Sequence, residues 1–165
     1  MSDPTAWDTL ASALRALHRV LLVRARREYE REHGHSLAAG ELLQLLTSDP
    51  HFEWLRSLSE LMADIDIVRE AEPEVMFELA PAVRSAIEQL VSAADAAEPH
   101  PFAQHYWPSV HEDPDVAVAH AELRRALNAW PPANDPAQWL HERHQLAEYA
   151  KHHSQRRRNV KARSE

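Results

Sequence analysis

Four Asp-Pro pairs, Asp3-Pro4, Asp49-Pro50, Asp113-Pro114 and Asp135-Pro136, mark where this chain can start its helices. Aspartate accepts hydrogen bonds from the unpaired N–H groups of a first helical turn. Proline at the next position has its φ pre-set and lacks an N–H that would be wasted there. Apolar residues at steps of three and four follow each pair, the spacing of one helix face. Glycine occurs only at Gly34 and Gly40. Such scarcity argues against tight hairpins and glycine-rich phosphate loops. No segment alternates with period two, so the chain is expected to be all-α.

The first helix is expected over residues 4–33, with Trp7, Leu10, Leu14, Leu17 and Leu21 as its seam, continued by Ala25 and Tyr29, and with Gly34 as its stop. A short helix over residues 37–47 follows a Ser36 cap. A third over residues 50–71 buries Leu55, Leu58, Leu61, Met62 and Ile65, and Pro73 ends it. A fourth over residues 74–97 carries Met76, Leu79, Val83, Ile87, Leu90 and Ala94, with a break or restart at Pro81. "EPHPFAQHYWPSVHEDP", with four prolines, reads as an irregular central loop. A fifth helix over residues 114–130 aligns Val116, His120, Leu123, Leu127 and Trp130, and a sixth starts at Pro136. Short connections favour antiparallel neighbours, so the expected architecture is an antiparallel helical bundle of five to six helices with a Pro/aromatic-rich central loop. The expected divisions are 1–98 as bundle core, 99–113 as irregular linker and 114–165 as a C-terminal helical pair with a basic tail.

At 165 residues a real core is possible without staples. The absence of cysteine excludes disulfides, thiolate metal sites and a cysteine nucleophile. The N-terminus lacks the basic start and apolar run of a signal peptide, and no apolar stretch approaches the roughly 18 residues of a membrane span. A cytoplasmic protein without a membrane partner is expected. Net charge is −8, divided as +4 from His141 onward and −12 before it. An acidic body with a basic tail is a real asymmetry.

"HERHQLAEYAKHHSQRRR" concentrates the candidate chemistry. Trp139, Leu146 and Ala150 share one arc of that helix, while His141, His144, Glu148 and His152 cluster on the opposite one. Imidazoles and a carboxylate one turn apart can share a divalent transition metal. A closed site also needs supporting groups, which a water-facing row rarely has. His100, His105 and His111 are a second candidate set, in the central loop. A di-iron bundle needs two inward Glu-x-x-His motifs, and the chain has one, Glu30 to His33, at a helix end. Arg156, Arg157, Arg158 and Lys161 could pair with phosphates or with an acidic protein partner. The acidic body, the tail without stacking aromatics and an acidic would-be recognition helix, "PHFEWLRSLSELMADID", argue against nucleic acid. His18 and His120 lie on or beside apolar stripes and are expected to be hydrogen-bonded, with pH-responsive contacts as the sharper reading. Asp64 and Asp66, two apart, point to different sides of a helix and are no natural dyad. Ser57, Ser59 and Ser109 sit in no nucleophile-elbow context.

"GELLQLLTSDPHFEWLRSLSELMADID" is similar to a group of uncharacterised bacterial helical proteins, the likeness covering roughly the first 70 residues. Its markers are caps and core, so the resemblance implies a helical fold and no activity, and transfers no functional residue. Five tryptophans, Trp7, Trp54, Trp107, Trp130 and Trp139, are many for a small helical body, and some are expected at an isologous dimer contact. The expected function is a non-catalytic helical interaction or accessory protein that self-associates as a homodimer, without a cofactor. The alternatives are a histidine-rich metal-binding bundle and weak nucleic-acid binding through the tail.

Overall fold

The computed structural model describes residues 4–91, 100–132, 144–153 and 155. The described residues are helical and joined by short turns, with no strand among them. The elements are α1 (Pro4–His33), α2 (Ala39–Ser48), α3 (Pro50–Glu53), α4 (Arg56–Arg69), α5 (Pro73–Leu90), α6 (Pro101–Glu112) and α7 (Pro114–Asn128). Residues 144–153 are helical as well. Among the described residues, no helix is long and apolar enough to cross a membrane.

The expected seam of α1 is buried along its whole length. Trp7, Leu10, Leu14, Leu17, Leu21 and Ala25 are at most 1% exposed, and Tyr29 continues the row. Helices α7, α4 and α3 all pack on α1. Polar contacts give the direction of two of these pairings. Asp8 meets Arg69, Arg15 meets Asp66 and His18 meets Ser59, so α4 runs antiparallel to α1. Arg24 pairs with Glu112, the last residue of α6, and with Asp113, the cap of α7, and the Trp7 ring meets that of Trp130 just beyond the other end of α7, so α7 is antiparallel too. Gly34 stops α1 at φ 72°, a left-handed value that suits glycine, and its N–H donates to the Glu30 carbonyl. The following turn is clasped by Glu30, whose carboxylate accepts from Arg26 Nε and the Leu37 N–H. That N–H, followed by Arg26, holds the Glu30 carboxyl below its ordinary value.

Two Asp-Pro starts are visible as caps. The Asp49 side chain accepts from the His51 N–H, and Asp113 from the Asp115 N–H. Helix α1 begins at Pro4, and Asp135-Pro136 lies outside the described residues. Four expectations need correction. Helix α2 starts at Ala39, not after Ser36, because Glu41 reaches back to accept from the Ala38 N–H. The single helix expected over residues 50–71 is two, with a turn at Trp54–Leu55. There Phe52 N–H donates to Asp49 and Leu55 N–H to Phe52, three-residue bonds that bring Phe52, Leu55 and Leu58 onto one buried side. Pro81 does not break α5. The i−4 partner that its missing N–H would have served is Phe77, a residue 55% exposed, while Leu79, Ala80, Ala82 and Val83 stay packed.

The largest correction concerns the central segment, which is not an irregular loop over 99–113 but contains helix α6, Pro101–Glu112. Pro101 occupies the first turn, where its missing N–H costs nothing, and the His100 ring caps the start. Phe102, Tyr106 and Ser109, spaced by four and three, are buried on its inner side. Pro108 is carried inside the helix. At the other end of the fold, Arg84 Nη1 donates to the carbonyls of Leu127, Trp130 and Pro131, closing α7 from α5.

Leu17→Ala removes a fully buried side chain at the centre of α1 and is expected to cost about 2–5 kcal/mol in urea denaturation. Exposed Val118→Ala should stay within about 0.5 kcal/mol of the unaltered protein.

Candidate functional site

A groove runs along the outer side of α3 and α4. Ser57, Glu60, Leu61 and Asp64 recur at three- and four-residue steps on α4, so one stripe of that helix faces the opening. With Ala86 and Leu90 of α5, His100, Leu146 and Ala147 they line a cleft of about 190 Å³. A second cleft of about 450 Å³ adjoins it, sharing Ser57 and His100 and adding Pro50, Glu53, Trp54, Arg56, Pro101, Phe102 and His105. Its aromatic wall is built by Trp54 and His105, whose rings stack at 5.1 Å and 15°.

The groove combines carboxylates, imidazoles and an aromatic wall. Burial, helped by the Glu60 charge, raises the Asp64 carboxyl above its ordinary value. No cation pairs with Glu60 or Asp64 among the described residues. Ser57, His100 and Asp64 share the first cleft, which invites comparison with a hydrolytic triad. The comparison fails on the histidine tautomer. His100 Nδ1 accepts the Phe102 N–H at 3.1 Å, so the neutral ring carries its proton on Nε2. A triad needs the reverse, with Nδ1–H held by the carboxylate and Nε2 ready to take the serine proton.

The candidate metal ligands separate into two groups. His100 and His105 line the groove, whereas exposed His111 sits beside Trp107, with ring centroids 6.0 Å apart. Glu112 is paired with Arg24, and Asp113 caps α7. Glu30 serves the α1–α2 turn, and His33 Nδ1 lies 2.9 Å from the Tyr29 carbonyl. On residues 144–153, Leu146 and Ala150 are buried while His144 and His152 are exposed, the division their spacing predicts. Glu148 Oε2 lies 3.6 Å from His152 Nε2. His141 lies outside the described residues, as do Arg156, Arg157, Arg158, Lys161 and Trp139. Among the described residues, no three His, Asp or Glu side chains converge on a metal position.

The two single histidines are both hydrogen-bonded. His18 Nε2 lies 3.0 Å from Ser59 Oγ across the α1–α4 seam, and burial holds its pKa below the ordinary value. His120 Nδ1 lies 2.6 Å from the Tyr106 hydroxyl across α6 and α7. The apolar stripe of α7 points to His120 in the sequence, but the prolines around Tyr106 conceal its partner. The four-and-three spacing of Phe102, Tyr106 and Ser109 was the available signal. Glu60, one turn away, is the neighbour of Asp64 that the sequence reading omits. Asp66 faces elsewhere, toward Arg15 and Arg69.

Comparison with protein-family models, with curated proteins and with solved structures finds no match to this chain.

Replacing Asp64 tests the electrostatics of the groove. A carboxyl with a raised folded-state pKa binds its proton more tightly in the native protein than in the unfolded chain, so its ionisation costs stability as pH rises. Asp64→Asn is therefore expected to raise the thermal midpoint at pH 7. The gain should vanish near about pH 3, where the native carboxyl is protonated too.

Proposed function

We propose that the protein is a non-catalytic helical interaction protein that works as a homodimer, with its helices forming one antiparallel bundle. The observation that carries this reading is the apolar face of α2. None of the residues of that helix is buried, and Leu43 is 66% exposed beside half-buried Leu42, Leu45 and Leu46. An amphipathic helix laid on a fold with part of its leucine face open to water suits contact with a second surface. The antiparallel pairings of α4 and α7 with α1 support the bundle reading. Trp7 and Trp130 cannot serve the contact, because both are in the core, at 1% and 5% exposure. Trp54 and Trp107 remain partly accessible.

Light scattering across micromolar concentrations is expected to give twice the chain mass. Leu43→Glu should return it to one chain mass with an unchanged circular dichroism spectrum, since the side chain supports little of the fold. A single-chain mass for the unaltered protein throughout that range overturns the reading.

A metal-binding role is a second reading, supported by Glu148 and His152 in contact on an open helix face with His144 nearby in sequence. Added zinc should then raise the thermal midpoint of untagged protein, and His144→Ala combined with His152→Ala should abolish the rise. No shift in the unaltered protein rejects it.

A further inference from the structure

Tyr106 and His120 form a contact whose two partners cannot both keep a proton on the shared line. Tyr106 is 0% exposed, and burial pushes its phenol well above the usual range, so it keeps its proton and donates. His120 Nδ1 accepts at 2.6 Å, which puts the proton of the neutral ring on Nε2. An added proton must then go to Nδ1. Two donors would face each other at hydrogen-bond distance. The hydroxyl can turn to accept, but its own hydrogen then needs a second acceptor at a side chain that is 0% exposed. A buried donor left without an acceptor is costly.

The surroundings do not favour an imidazolium. Burial lowers the pKa of the ring, and Arg124, a cation one turn away on α7 itself, adds to that. On α6, Tyr106 bonds the ring, His111 lies beyond Trp107, His105 stacks on Trp54 and Glu112 pairs with Arg24. The charges of α1 at the α6–α7 corner are Arg24 and Glu28, which pair with each other. The corner carboxylates Glu112 and Asp113 already serve Arg24 and the α7 cap.

We propose that Tyr106 and His120 are an acid-sensitive latch between α6 and α7, which lets α6 leave its seat when His120 takes a proton. Helix α6 is suited to such release. Its main packing partner is α7, it spans 12 residues, and Pro108 removes one of its internal hydrogen bonds. A helix that short is marginal once undocked. Its departure carries away His100, Phe102 and His105, and with them one wall of the groove.

The test uses the full chain between pH 7.5 and 5. NMR titration of the His120 ring should give a midpoint below its ordinary 6.5, and amide protection factors in α6 should fall with the same midpoint while those of α1 hold. His120→Gln should abolish the acid-side loss of α6 protection. Tyr106→Phe should move the His120 midpoint up by about half to one pH unit, because the donor that favours the neutral ring is gone. A simple burial effect would leave that midpoint in place. Unchanged α6 protection while His120 titrates, or an acid step retained in His120→Gln, overturns the latch. The His120→Gln result decides even if Tyr106→Phe fails to fold. Dimerisation through Leu43 is read by mass and stands or falls separately.

Discussion

Burial of the α1 seam is the constraint on which the other helices depend. Trp7, Leu10, Leu14, Leu17, Leu21, Ala25 and Tyr29 form one continuous apolar edge, and α3, α4 and α7 cover it from different sides. Dispersion and the removal of apolar surface from water give this contact its strength, but neither is directional. Direction comes from the polar groups at its margin. Asp8 with Arg69 and His18 with Ser59 align α4, while Arg24 with Glu112 aligns α7. Exposed ion pairs of this kind add little stability each, so their larger contribution is to register.

The sequence was most legible where one physical rule acted alone. Helix α1 has an unbroken three-and-four spacing and a glycine stop, and its expected limits match the observed Pro4–His33. The Asp49 and Asp113 caps follow from local chemistry and could be read without any tertiary partner. The prolines of α6 conceal it in the sequence, because proline at an interior position is a helix breaker. One of them occupies a first turn, where proline belongs, and the other is carried by buried neighbours. The division of α3 from α4 depends on three-residue hydrogen bonds, which the apolar pattern of Leu55, Leu58 and Leu61 does not announce.

The groove was only half legible. Ser57, Glu60 and Asp64 could be placed on one side of α4 from spacing alone. His100 comes from a distant stretch of chain, and its tautomer is set by a backbone N–H that only a helical α6 supplies. The same applies to Tyr106 and His120, which meet only if the intervening residues form two helices around the Asp113 cap. The outward turn of His144 and His152 needed no such knowledge, because buried Leu146 and Ala150 determine it.

The tight turn at Trp54–Leu55 makes the chain unequally tolerant of changes in length. In the 34–38 connection only Leu37 is buried, so a residue gained at exposed His35 or Ser36 can loop outward. A residue gained beside Trp54 would swing everything on one side by about 100° relative to the other. Either Phe52 would leave the interior, or Trp54 would lose its parallel seat on His105. Deletions and insertions there are blocked by rotation more than by space, so this short corner fixes the phase of α3 against α4.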